Sequence, residues 1–125
     1  MNKKELFKQV NKLCYNLDNK YNINCGGCCY VAACIAEQLE LKGIPFKVIH
    51  YNLYSCHFAI KVSDRYLNRC DYRKKEITEI PNWTSKDLYF HYNKEYWNKC
   101  YNPKDNRTVK NSIKSIFSKY ENRRT

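Results

Sequence analysis

Two breaks in the chain, Gly26-Gly27 and Gly43-Ile44-Pro45, bracket a strongly apolar segment and fix where one helix must lie. Adjacent glycines disfavour any regular element, and a proline just past a glycine forbids continuation. Between the breaks Val31, Ala32, Ile35, Ala36 and Leu39 recur at three- and four-residue spacing. A helix is therefore expected from about Cys28 to Lys42, with Gly43 as its stop. Past Pro45 the period drops to two. Phe46 and Val48, continuing to Tyr51 or Leu53, read as a strand. His57-Phe58-Ala59-Ile60-Lys61-Val62 alternates next, with Phe58, Ile60 and Val62 on one face and His57 on the other. Ser63-Asp64-Arg65 reads as a three-residue turn into a third strand, Tyr66 to Tyr72.

The flanks add two amphipathic helices. Leu6, Phe7, Val10, Leu13, Cys14 and Leu17 predict one from Lys3 to Leu17, followed by a polar turn over Asp18–Asn24. Val109, Ile113, Ile116, Phe117 and Tyr120 predict another near the end, capped by Asp105 or Thr108, with Lys110, Lys114 and Lys119 in water. Arg123 and Arg124 suit the negative end of its dipole. Residues 73–105, rich in Tyr, Trp, Asn and Lys, predict short strands or loops around Trp83, Tyr89-Phe90 and Tyr96-Trp97. The chain has 125 residues, 43% of them hydrophobic, and no repeat or linker, so 1–125 is expected to be a single α+β domain.

No apolar run approaches the roughly 18 residues of a membrane helix, and MNKKELFKQV lacks a signal-peptide core. A location in the cytoplasm, without membrane association, is expected. The eight cysteines support a reducing compartment: Cys28, Cys29 and Cys34 crowd into one apolar segment and Cys14 lies in another. Those positions suit buried thiols better than a disulfide scaffold. The net charge of +11 is spread along the whole chain. It allows nucleic acid as a partner but does not favour it over a solvated basic surface.

The segment Asn24-Cys25-Gly26-Gly27-Cys28-Cys29-Tyr30 carries the chemistry. A thiol at a helix start has a depressed pKa and more thiolate, and the same N–H groups can hold an oxyanion. Cys28 is thus the candidate nucleophile. It needs a base, and of the three histidines only His57 opens an alternating strand. A base needs an orienting partner, for which Asp71 is placed at the end of the neighbouring strand. With a three-residue turn Val62 pairs with Tyr66, which sets His57 opposite Asp71 and leaves Asn68 opposite Ile60, pointing into the core.

Gly26-Gly27-Cys28, Ala32, Leu39 and Gly43-Ile44-Pro45 together resemble the nucleophile helix of transglutaminase-like proteins, of the papain-like cysteine peptidase superfamily. His57 to Val62 resembles that family's histidine strand, and Tyr66 to Asp71 the strand that ends in its triad aspartate. The layout is also similar to arylamine N-acetyltransferases. Two positions depart from the pattern: Ala59 stands where an aromatic is usual, and no proline follows Asp71. The resemblance covers about residues 24–72. It implies a nucleophile helix packed on an antiparallel meander, a Cys28–His57–Asp71 triad, and acyl transfer through a thioester on Cys28. The substrate expected is a protein or peptide, cleaved at a peptide, isopeptide or side-chain amide bond. Transfer to an amine or deamidation is the second chemistry.

Other readings of the same residues are weaker. Cys25-x-x-Cys28 admits zinc with Cys56, His57 or Cys70, but adjacent strand residues 56 and 57 point to opposite faces. A thioredoxin-like pair needs an apolar strand before it, and Asp18–Asn24 is polar. No metal and no cofactor is expected. The rival from another class is a catalytically inactive binding protein whose basic surface takes nucleic acid or an acidic protein.

Overall fold

The computed structural model describes residues 1–52, 56–68, 77–95 and 100–120. Helix α1 spans Lys3–Tyr21. The Asn2 side chain caps it, accepting from Glu5 N at 2.8 Å. It runs a turn beyond the expected end because Asn22, at φ 59°, supplies the left-handed stop and donates its N–H to Asp18 O. The polar turn is thus confined to Asn22–Gly27, and Asp18 stays helical.

Helix α2 spans Cys28–Leu41, as its bracketing glycines require. Gly43, at φ 67°, donates to Glu40 O while Ile44 donates to Leu39 O, which satisfies two terminal carbonyls. Nearly every position from Val31 to Leu39 is buried, so α2 is the central helix.

Strands β1 (Lys47–Asn52), β2 (Cys56–Val62), β3 (Arg65–Leu67) and β4 (Ile77–Ile80) form one antiparallel sheet in the order β3-β2-β1-β4. The expected meander of three is present, and β4 joins it on the free edge of β1. Cross-strand pairs Val48↔Ile60 and His50↔Phe58 lie on one face, Ile49↔Ala59 and Tyr51↔His57 on the other. Val48, Phe58, Ile60, Val62 and Leu67 join the main core with α1, α2 and α4. Ile49, Tyr51, Ala59 and Tyr66 make a smaller cluster on the second face.

The turn between β2 and β3 corrects one expectation. Val62 pairs with Arg65, so the loop is Ser63-Asp64 alone. Ser63 takes φ 56°, the positive value that lets two residues close a hairpin. Leu67, not Asn68, therefore opposes Ile60. Strand β3 also stops at Leu67, because Asn68 turns to φ 58° and leaves the ladder. The expected continuation to Tyr72 lies outside the described residues beyond Asn68.

A third helix, α3 (Ser85–Glu95), replaces the loop or strand expected around Tyr89-Phe90. Asp87 accepts from the Thr84 amide and hydroxyl at its start, and Glu40 of α2 accepts from the Ser85 amide and hydroxyl. Tyr96-Trp97 lies outside the described residues. A 3-10 turn at Pro103–Asp105 leads into α4 (Asn106–Ser118), whose Val109, Ile113 and Phe117 are fully buried. Lys114 and Lys119 are exposed as expected, whereas Lys110 lies over the Tyr89 ring with its amine 3.6 Å from Glu37. No helix among the described residues is long and apolar enough to cross a membrane.

Candidate active site

Cys28 is the first residue of α2, and Gly27 at the cap position offers the helix start no side chain. No acidic side chain occupies the first turn. The positive dipole end of α2 therefore faces no capping or acidic side chain of its own first turn. Gly26 takes φ 107°, a value that only glycine adopts readily, to turn the chain into α2. Gly27 is required for a different reason: a Cβ there would sit 2.7–2.9 Å from ring carbons of Tyr101. Tyr101 lies flat on the loop, donates its own N–H to Cys25 O at 3.0 Å, and gives its hydroxyl to Asn106 of α4.

Neighbouring thiols separate by environment. Cys29 donates its thiol proton to Leu88 O at 3.2 Å, and burial with the adjacent Cys28 pushes its pKa up. Burial pushes Cys14 up to about 12 and Cys34 to about 11. All three belong to the main apolar core; Cys28, though only 6% exposed, belongs to neither apolar cluster. Of the α2 thiols, Cys28 is the one placed at the helix start and outside that core.

His57 sits in β2 on the second face of the sheet, 2% exposed, with the Tyr51 ring centroid 5.5 Å away. The facing expected from alternation, opposite Phe58, Ile60 and Val62, is present. Its Nε2 lies 2.7 Å from the main-chain oxygen of Asn68. A carbonyl oxygen carries no hydrogen, so Nε2 holds the proton and donates it. In the neutral ring the lone pair then belongs to Nδ1. That atom is buried and has no hydrogen-bond partner among the described residues. Burial lowers the His57 pKa, against the opposing effects of the Asn68 bond and of Asp18, and His50 lowers it further. The ring is therefore neutral near pH 7, with its unprotonated nitrogen buried.

Asn68 itself is held from three sides. Its N–H donates to Asn11 Oδ1 at 2.8 Å, and Asn11 Nδ2 donates to Tyr66 O at 3.0 Å. Its side-chain amide donates to Asn24 Oδ1 at 3.2 Å, while the Asn24 N–H bonds Asp18 Oδ1 at 2.8 Å. Asn68 is buried as expected, but it faces His57 through its carbonyl instead of standing idle opposite Ile60. The outer side of this network lines an open cleft of about 480 Å³.

The three expected site residues are placed unequally. Cys28 begins α2, as the sequence predicts, and His57 is the second residue of β2. Helix α2 packs on β2, yet the core it shares with the sheet is on the face opposite His57, and Cys28 makes no hydrogen bond to His57 Nδ1. Asp71 lies outside the described residues. The two-residue turn removes the register count that set it opposite His57. Asn11, Asn24 and Tyr101 were not legible as site residues, since the bonds that tie them in span 44 to 76 positions, and Asn68 meets His57, 11 positions away, through its main chain and not its side chain. The one local signal was an asparagine at a strand end, a residue tolerant of left-handed backbone. Among the described residues no three His, Cys, Asp or Glu side chains converge on a metal position.

No protein-family model matches the chain, and no curated protein or solved structure does either.

Proposed function

We propose that this chain is a thiol-dependent acyl-transfer enzyme of transglutaminase-like, papain-related type, with Cys28 as nucleophile and His57 as base. The observation that carries the reading is the His57 ring, held with its proton on Nε2 and its lone pair on a buried, unbonded Nδ1. In the reaction the Cys28 S–H proton passes to Nδ1 and the thiolate attacks an amide carbonyl carbon. The start of α2 stabilises the oxyanion. Nδ1–H then protonates the leaving amine as the C–N bond breaks, leaving a thioester on Cys28. Water attacks that thioester, His57 again taking the proton; the C–S bond breaks to release the acid, and the proton returns from Nδ1 to the Cys28 sulfur. In this reading the Asn68 carbonyl takes the orienting place on Nε2 that the resemblance gives to Asp71. A peptide, isopeptide or side-chain amide is the favoured substrate; an amine acceptor or a glutamine side chain comes second.

A second reading is favoured by the absent bond between Cys28 and Nδ1: a binding protein of the same fold, without catalysis. Its partner would be nucleic acid or an acidic protein. Lys3, Lys4, Lys8 and Lys12 lie exposed along α1, and no ion pair among the described residues neutralises them.

Iodoacetamide labelling of the folded protein at pH 7, read by peptide mass mapping, separates the two. The enzyme requires Cys28 to label while Cys14 and Cys34 stay inert, and His57→Ala to slow Cys28 about a hundredfold. Labelling of Cys28 at the rate of an ordinary thiol, indifferent to His57, favours the binding protein and overturns the enzyme.

A further inference from the structure

The chemistry of His57 depends on which ring nitrogen carries the proton, and no side chain among the described residues sets it. The main-chain oxygen of Asn68 does, at 2.7 Å from Nε2. A single carbonyl just past a three-residue edge strand is a poor anchor by itself, because the β3 ladder that would hold it stops at Leu67. Asn68 moreover sits in left-handed backbone at φ 58°, a conformation that needs support from its surroundings.

That support comes from two asparagines, one in α1 and one in the loop that follows it. Asn11 bridges β3 and Asn68, accepting from Asn68 N and donating to Tyr66 O, so it fixes the peptide planes on either side of Leu67. Asn24 takes the Asn68 side-chain amide and is itself tied by its N–H to Asp18. We propose that Asn11 and Asn24 are positioning residues that clamp the Asn68 carbonyl onto His57 and thereby fix the Nε2–H tautomer. The clamp rests on the acyl-transfer reading for its purpose but not for its geometry.

The arrangement gives the clamp a consequence that packing alone lacks. Asn11 and Asn24 are half-buried and border the cleft, away from the His57 ring. Replacing either removes hydrogen bonds to Asn68 without opening the apolar core. The ring then loses its fixed acceptor, Nδ1–H becomes as accessible as Nε2–H, and the base is lost in that fraction of molecules. Substituting Asn68 with glycine isolates the Asn24 arm of the clamp. Glycine keeps the carbonyl and accepts φ 58° without strain, so only the bond to Asn24 is lost.

Long-range proton–nitrogen NMR of the histidine rings reads the tautomer directly, with the His57 signals identified by their loss in His57→Gln. Wild type should show His57 as Nε2–H alone at pH 8. Asn11→Ala should give a mixture of tautomers, and Asn24→Ala and Asn68→Gly, which lose the same bond, should each give a similar, smaller shift. Cys28 alkylation should slow about tenfold or more in Asn11→Ala, in line with typical losses when a group that orients a functional side chain is removed. A wild-type His57 in the Nδ1–H form overturns the clamp. So does an Asn11→Ala protein that melts cooperatively and keeps pure Nε2–H. A tautomer mixture with unchanged Cys28 alkylation upholds the clamp and overturns the acyl-transfer reading instead.

Discussion

Gly27 is the residue with least freedom in the candidate site. Its neighbour Tyr101 is fully buried, bonded through its amide to Cys25 O and through its hydroxyl to Asn106, so the ring cannot slide aside when a methyl is added. Ring carbons at 2.7–2.9 Å from a Cβ force either the ring or the loop to move. Gly27→Ala should therefore destabilise by about 1–3 kcal/mol, the usual range for overpacking. Urea unfolding checks it: the midpoint should fall with an unchanged slope. A Gly27→Ala protein as stable as wild type would mean that Tyr101 does not rest on this loop. The same contact explains a paired glycine before Cys28 without appeal to catalysis, since each glycine answers a separate demand. Gly26 meets one of backbone angle and Gly27 one of space.

Among the elements, α4 is the sharpest test of whether the ends of the chain belong to the core. Its apolar stripe of Val109, Ile113 and Phe117 is fully buried against α1 and α2. Lys110 reaches across to Glu37 on α2, although an exposed pair of this kind contributes at most about 1 kcal/mol. Burial of the stripe decides the matter. Phe117→Ala should cost about 3–5 kcal/mol, measured by thermal or urea denaturation. Deleting residues 106–125 should leave no cooperative transition at all. Survival of the truncated chain with an unaltered melting temperature would make α4 a detachable basic segment and strengthen the polyanion-binding reading. Helix α3 shows what the periodicity missed. Its interior, Ser85 to Glu95, mixes charged and aromatic residues around Leu88 and Tyr92, too few buried positions to trace a stripe. The readable signal was Thr84-Ser85-Lys86-Asp87, whose i, i+3 spacing of hydroxyl and carboxylate marks a helix start.

At the scale of the whole molecule, folding has placed histidines where charge is disfavoured. Burial lowers the pKa of His57 and of His50, the latter also through His91, which faces Phe58 and Trp83 from α3. The unfolded chain then binds protons before the folded one as pH falls. The stability tied to neutral histidine is complete above the ordinary value of 6.5 and is lost as pH drops below it through the folded values. The melting temperature should accordingly decline between about pH 7 and 5, and less steeply in His57→Gln. A melting temperature that rises on acidification would contradict the neutral state of both rings.

The division between what the chain encodes locally and what only the assembled fold decides follows from the reach of each interaction. Helices α1, α2 and α4 and the first two strands were legible because their determinants lie within a few residues: apolar spacing, caps and glycine stops act through adjacent turns. Cys28 at a helix start and His57 near the start of an alternating strand are local facts of the same kind. The register beyond Val62 was not, because a single residue in the Ser63-Asp64 turn shifts every pairing and flips every facing. Spacing alone did not distinguish two residues from three. The role of Asn68 belongs to the same class, since its carbonyl meets His57 only after α1 has docked Asn11 against β3. So does the demand for Gly27, set by Tyr101 from the far side of the chain. The sequence by itself determined where α1, α2, α4 and the first two strands lie, with Cys28 at the head of its helix and His57 near the head of its strand. Only tertiary structure decided which face His57 takes a partner from and which atom of its ring is left to act, because both depend on hydrogen bonds closed across 11 to 57 residues of chain.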